Sequence, residues 1–362
     1  MKGTKWIRRV VGSQSLFALL LHLSLAAGPA AAQISATWTV TSQMANSEEN
    51  ATATLLQNGT VLSAGGDLGG IGVGIRNAQI YDPAANVWKK TGNMNAVRYG
   101  HSSTLLPNGQ VLIAGGGNAT YPNFNVLSTA DLYDPATGTF ALTGKMSTGH
   151  YGHTATLLPN GKVLVTGGMF VYWLRIRRGA CTNAAELYDP ASRTWSSAGT
   201  TSTVHCGATA TLLPSGRVLV AGGGTSQLYD PSTNSWSTSG AMVGNRSGHS
   251  AVLLQTGKVL VAGPDTSAEL YDPANGTWST TGTQLFSHPY VTTVLLANGK
   301  ALLAGNNTAG NCELYDPFTG TWTATGNLNH QRFNFPVTQL PDGRVLVVGG
   351  SFDWWSGEVY QP

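Results

Sequence analysis

The sequence predicts an all-β fold: a seven-bladed β-propeller of four-stranded antiparallel blades, closed by pairing an N-terminal strand with the C-terminal blade. Three observations carry this. First, nearly the same twelve letters recur seven times: LLQNGTVLSAGG (55–66), LLPNGQVLIAGG (105–116), LLPNGKVLVTGG (157–168), LLPSGRVLVAGG (212–223), LLQTGKVLVAGP (253–264), LLANGKALLAGN (295–306) and QLPDGRVLVVGG (339–350). Their period of 41 to 55 residues suits a propeller blade rather than a helical-hairpin array. Second, Tyr81, Tyr133, Tyr188, Tyr229, Tyr271 and Tyr315 are each followed seven residues later by an aromatic: Trp88, Phe140, Trp195, Trp236, Trp278 and Trp322. Third, the two ends complement each other. Trp38 has no tyrosine before it and Tyr360 no aromatic after it, so the strand of Trp38 completes the blade that ends at Tyr360.

Taken in chain order, residues 1–32 read as an export signal. Lys2, Lys5, Arg8 and Arg9 precede the apolar run Leu16–Leu25, and Ala30-Ala31-Ala32 offers a small-residue cleavage site. The run is too short for a permanent membrane span. Cleavage near Ala32 removes four of the 20 Lys+Arg and none of the 17 Asp+Glu, leaving a mature net charge of −1. That balance gives nucleic-acid binding no support, and no nucleic acid is expected as a partner. Residues 33–362 read as one domain, because the repeat runs from Trp38 to Tyr360 without a linker.

Within a blade, the twelve letters supply inner strand A, an x-Gly turn and strand B; in blade 3 these are expected at His153–Leu158 and Lys162–Thr166. Tyr-Asp forms strand C, Asp-Pro begins the C–D turn, and the aromatic seven residues on lies in outer strand D. Tyrosine and tryptophan supply the apolar area that joins wedge-shaped blades.

Length varies in one place. From the first glycine of each pair to the next tyrosine the intervals are 16, 18, 21, 7, 8, 10 and 11 residues. These are the B–C loops, which share a face with the D–A loops because strands alternate in direction. The long loops of blades 1 to 3, with blade 7 adjoining, predict a lopsided crest carrying Tyr121, Phe124, Phe170, Tyr172, Trp173, Trp354 and Trp355. Loops that vary on a rigid scaffold are the usual place for binding; the alternative is that these aromatics pack into cores of their own loops.

A second feature falls on the same face. Ten residues past every aromatic mark stand Glu48, Arg98, His150, His205, Arg246, His288 and Arg332. Placed around the channel mouth, they would form an electropositive collar suited to carboxylates or other anions. Protonation of His150, His205 and His288 near pH 6 would then raise anion affinity. The alternative is that the seven cap neighbouring strands or bond blade to blade. On the opposite face, Lys162, Arg217, Lys258, Lys300 and Arg344 follow the A–B turn glycines on the side of the Asp-Pro turns, a solvated surface of local ion pairs.

The Gly-Gly, Tyr and Trp pattern resembles the kelch repeat, and in particular the kelch-type blades of galactose oxidase, over essentially all of 38–360. The resemblance implies a propeller that serves an enzyme, an actin binder or a peptide-recognition module alike. Kelch propellers that bind acidic peptides use arginines at collar-like positions, which agrees with an anionic ligand. The galactose oxidase likeness implies a copper-ligand histidine at a strand entrance, preceded by Arg-x-Tyr. Arg98-Tyr99-Gly100-His101 and Arg246-Ser247-Gly248-His249 hold glycine where that tyrosine would stand. His153 completes a set of three entrance histidines, and three such residues in repeated positions read as structural. His150-x-x-His153 resembles a zinc pair, yet in an extended segment the two point to opposite sides.

Of the three cysteines, Cys181 and Cys206 fall on one face in neighbouring blades and are expected to form a disulfide, with Cys312 free. The sequence therefore leads to an exported monomeric binding module without catalytic residues or cofactor. Its ligand, an acidic peptide or anionic glycan, would meet Arg98, Arg246 and Arg332, with Trp173, Trp354 or Trp355 stacking on sugar rings or apolar side chains. The alternatives are a copper-dependent sugar or alcohol oxidase and a purely structural surface protein.

Overall fold

The computed structural model describes residues 36–362 except 46–47, 69–72, 121–122, 174–177, 290, 306, 308 and 351–354. The expected export signal lies outside the described residues, and Ser35–Pro362 is one compact unit. Seven four-stranded antiparallel sheets follow one another along the chain, with neighbouring strands paired in the order A-B-C-D. Blade 1 comprises Thr52–Leu55, Val61–Ala64, Ala78–Asp82 and Val87–Lys90; blade 2, Ser102–Leu105, Val111–Ala114, Ala130–Asp134 and Thr139–Leu142. Blade 3 comprises Thr154–Leu157, Val163–Thr166, Ala184–Asp189 and Thr194–Thr200; blade 4, Thr209–Leu212, Val218–Gly222, Thr225–Asp230 and Ser235–Thr238. Blade 5 comprises Ser250–Leu253, Val259–Ala262, Ala268–Asp272 and Thr277–Thr280; blade 6, Thr292–Leu295, Ala301–Ala304, Cys312–Asp316 and Thr321–Thr325. Blade 7 uses Val337–Gln339, Val345–Val348 and Gly357–Gln361, and its outer strand is Thr37–Val40. The register Trp38↔Tyr360 closes the ring head to tail.

The turn residues do what their chemistry dictates. Gly59 takes φ +83° in the first A–B turn, where its N–H donates to Leu56 O at 3.0 Å, and the same bond recurs after every strand A. In the C–D turn Asp82 Oδ1 accepts the Ala84 N–H at 3.0 Å, and Asp134, Asp189, Asp230, Asp272 and Asp316 repeat the arrangement. The Gly-Gly pair marks a close crossing: a Cβ on Gly66 would stand 2.4 Å from the Glu49 carbonyl oxygen.

The core lies between blades. Strand B is buried throughout in all seven blades. Its side chains pack against the next blade, as where Leu62 and Ala64 meet Val111, Ile113 and Tyr133. Each Tyr stacks obliquely on the aromatic of strand D, with centroids 4.7 Å apart for Tyr133–Phe140 and 5.2 Å for Tyr271–Trp278. The polar ends of these rings reach the preceding blade: Trp236 Nε1 donates to Ala198 O at 2.7 Å, and Tyr188 Oη lies 2.7 Å from Thr143 Oγ1. Strand A of blade 3 starts at Thr154, one residue later than the sequence suggests, because His153 turns sideways onto Ser102 of blade 2.

Candidate functional site

The seven collar side chains are all buried, between 0% and 3% exposed. Each faces the residue two places before the tyrosine of strand C in the blade it precedes. Arg98 Nη2 lies 3.2 Å from Asp131, His150 Nε2 3.5 Å from Glu186, Arg246 Nε 2.9 Å from Glu269, His288 Nε2 2.9 Å from Glu313, and Arg332 Nε 3.0 Å from Glu358. The two remaining partners are neutral amides. Gln227 Nε2 stands 3.4 Å from His205 Nε2, and Glu48 bonds Gln79 and accepts from the Ser63 hydroxyl. Where the collar residue is an arginine the partner is acidic; where it is itself acidic the partner is an amide.

The strand-C side chain does a second job. Its oxygens accept backbone N–H groups of the D–A loop: Val243 and Gly244 at 2.7 and 2.9 Å from Glu269, Leu285 and Phe286 at 2.7 and 2.9 Å from Glu313, Asn329 and His330 at 2.7 and 3.0 Å from Glu358. At five of the seven positions the collar residue also bonds the first carbonyl of the glycine pair, as Arg332 Nη1 does to Gly349 O at 2.8 Å and Arg246 Nη1 to Gly263 O at 3.0 Å. Charged groups buried this completely must be paired, and here the partners are all internal. The collar therefore ties each D–A loop to its blade. The expected electropositive mouth is corrected on this ground: Glu48, Arg98, His150, His205, Arg246, His288 and Arg332 are enclosed by their own blades and offer a ligand no surface.

Burial fixes protonation nearby. Desolvation raises the Glu48 carboxyl to about 8, against hydrogen bonds from Ser63 and Gln79 that lower it. The entrance histidines are driven the other way. Desolvation, with the charge of Arg98, lowers His101 to about 3; desolvation, with His150 and His101, lowers His153 to about 3; desolvation, with Arg246, lowers His249 to about 4. Each bonds through Nε2 to a hydroxyl of the preceding inner strand: His101 to Thr52 at 3.1 Å, His153 to Ser102 at 2.9 Å and His249 to Thr209 at 3.1 Å. These residues do not fit a copper centre, since Nε2 of each is committed to a hydroxyl of the preceding inner strand and no three His, Cys, Asp or Glu converge among the described residues.

The crest is built as two hairpins on the same face, Gly117–Thr120 with Asn123–Val126 and Met169–Trp173 with Arg178–Cys181. Phe124 packs edge-on against Tyr99 and Tyr151, with centroids at 5.7 and 5.2 Å, so this loop does form a local aromatic core. Phe170 is 44% and Trp355 48% exposed. Trp354 and Tyr121 lie outside the described residues, and Trp173 and Tyr172 are described only by their strand. Cys181 of the blade-3 hairpin is disulfide-bonded to Cys206 in the following D–A loop, with Cα atoms 5.5 Å apart. Cys312 is free and buried.

Sequence reasoning missed three exposed aliphatics in the D–A loops: Val204, Val243 and Leu285, at 58%, 62% and 52%. With Leu68, Val73, Phe170 and Trp355 they place seven of the ten large exposed apolar side chains among the described residues on the B–C/D–A face. The available signal was an aliphatic residue one to three places before the collar position in each of these loops.

A family model described as the KLHDC2/KLHL20/DRC7 Kelch-repeats domain matches residues 50–264. Among solved structures, a fungal alcohol oxidase of the AA5 family in complex with copper superposes with a TM-score of 0.72 at 16% identity, covering 90% of this chain and 76% of that one. The protein YjhT superposes with a TM-score of 0.59 at 17% identity, covering 79% of this chain and 99% of that one. No curated protein sequence matches the chain. At these identities the structural likeness concerns the fold alone.

Proposed function

The chain belongs to the Kelch-repeat propellers, and from that membership we propose that it is an exported protein-binding module whose partner seats on the B–C/D–A face. The observation that carries this reading is the concentration there of seven of the ten large exposed apolar side chains among the described residues. The partner is a protein segment with apolar side chains, which Phe170, Val243, Leu285 and Trp355 can cover. Export is supported by the sequence of residues 1–32 and by the Cys181–Cys206 disulfide, which suits an oxidising compartment. Among the described residues no helix is long and apolar enough to cross a membrane.

The test is selection of displayed peptides on the mature chain, followed by affinity measurement against single substitutions. Covering one aliphatic or aromatic side chain contributes about 1.5–3 kcal/mol, so Val243→Asp and Leu285→Asp should each weaken the selected peptides roughly tenfold or more. Phe318→Asp, on the opposite face, serves as the control and should leave affinity unchanged. Peptides that bind both face variants as tightly as the parent would place the partner elsewhere.

A further inference from the structure

On the opposite face the repeat carries its own ion pair, and blades 1 and 2 keep its aspartate without its cation. In blades 3 to 6 the residue after the A–B turn glycine is a cation whose head group reaches the aspartate of its Asp-Pro turn. Lys162 meets Asp189 at 3.1 Å, Arg217 meets Asp230 at 3.0 Å, Lys258 meets Asp272 at 3.2 Å and Lys300 meets Asp316 at 3.3 Å. Blade 2 places Gln110 at this position and blade 1 Thr60, while the aspartates Asp134 and Asp82 remain. Asp134 accepts the Ala136 N–H through Oδ1 at 2.9 Å, and no cation of the described residues pairs with its carboxylate.

The place where the cation would lie is open. A cavity of about 530 Å³ is lined there by Gln57, Asn58, Asn108, Gln110 and Asp134, with Leu56 and Pro135 among its apolar walls. We propose that this cavity is a second binding site, which takes a primary ammonium against Asp134 in the way Lys162, Lys258 and Lys300 occupy their own blades. The template is internal to the molecule: three blades show that an ammonium at this point finds a carboxylate at 3.1 to 3.3 Å. The amides of Gln57, Asn58, Asn108 and Gln110 offer both donors and acceptors to the rest of the ligand. A hydrogen-bonding body bearing an amine is the chemistry they fit, which a lysine side chain on a peptide and an amino sugar share. The site lies across the propeller from the loop face and stands or falls independently of the partner proposed there.

The experiment uses saturation-transfer NMR on the mature chain at pH 7 and low salt, with Nα-acetyl-lysine methylamide and glucosamine as probes. Their uncharged counterparts, Nα-acetyl-norleucine methylamide and N-acetylglucosamine, are the controls. At least one ammonium probe should bind, and its control should bind more weakly, by up to about fivefold, the scale of a partly exposed charge pair. The tighter of the two probes identifies the source, peptide or sugar. Gln110→Lys should fill the cavity from within, restoring the pattern of blades 3 to 6, and should abolish binding while the unfolding temperature is kept or raised. Asp134→Asn should weaken the ammonium probe by up to about fivefold and leave its control unaffected. The proposal is overturned if neither ammonium probe binds, if charged and uncharged probes bind alike, or if binding survives in Gln110→Lys.

Discussion

Replacing Glu358 with Ala tests most directly whether the buried collar holds the propeller together. Glu358 is wholly buried, as is its partner Arg332. Its two oxygens accept Arg332 Nε at 3.0 Å, the Asn329 and His330 N–H groups at 2.7 and 3.0 Å, and Asn329 Nδ2 at 2.9 Å. Removing the carboxylate strands a buried guanidinium and two loop N–H groups, a change that costs about 3–5 kcal/mol. Glu358→Gln keeps an acceptor for the loop but loses the charge, and should cost about 1.5–3 kcal/mol. The double variant Arg332→His with Glu358→Gln builds into blade 7 the pair that blade 4 already has in His205 and Gln227. It should recover most of the loss, giving a favourable coupling of at least about 1 kcal/mol in a double-mutant cycle. The assay is urea unfolding followed by tryptophan fluorescence, with the shift in midpoint read at constant slope. A cost below about 1 kcal/mol for Glu358→Ala would refute the reasoning, because the carboxylate would then be holding nothing. So would a double variant as unstable as the sum of its single changes. A ligand-facing Arg332 would behave differently again, since its replacement would leave stability untouched.

Two further outcomes follow from burial. Glu48 sits at about 8 when folded and near 4.5 when unfolded, so the folded state binds the extra proton between those values. Stability from this group is present at low pH and declines by up to about 1.4 kcal/mol per pH unit as pH rises toward 8. His101 and His153, at about 3, and His249, at about 4, act in the opposite sense. Their stability is full above 6.5 and is lost as pH falls through 6.5 toward the folded values. Together these groups put the stability maximum near neutrality; Glu48→Gln should flatten the alkaline limb and His153→Gln the acid one in thermal unfolding across pH 5 to 8. An unchanged alkaline limb in Glu48→Gln would show that the carboxyl is ionised in the fold. For the cysteines, burial pushes the Cys312 thiol up to about 12, so maleimide should label it only after unfolding. Non-reducing peptide mapping should join Cys181 to Cys206, and Cys181→Ser should cost about 3.5 kcal/mol by the chain-entropy relation for their separation of 25 residues. Labelling of Cys312 in the folded protein, or its appearance in a disulfide, would contradict the structure.

How far the site was legible depended on how near in the sequence a residue's partner lay. The aspartates of the C–D turns act on N–H groups two or three residues away, so Asp82-Pro83 announces its turn in the sequence. The pairing of Arg98 with Asp131 spans 33 positions and crosses from a loop into the third strand of the next sheet. It was visible only as a correlation of sign: Gln79, Asp131, Glu186, Gln227, Glu269, Glu313 and Glu358 each stand two residues before a blade tyrosine, and their charges answer the collar. Without that correlation, seven polar residues beside a channel look like a binding surface.

The sequence by itself determined the seven blades, the closing pair Trp38 and Tyr360, and the loops that vary, because repetition and turn chemistry are local and every copy restates them. Only the tertiary structure decided which polar groups reach solvent. Burial depends on what packs against a side chain: the arginines and histidines of one face are enclosed by carboxylates and amides, and blade 2 leaves Asp134 without the cation that blades 3 to 6 supply. The physical reason is that desolvation and pairing are properties of a packed environment, to which a residue and its distant partner contribute equally.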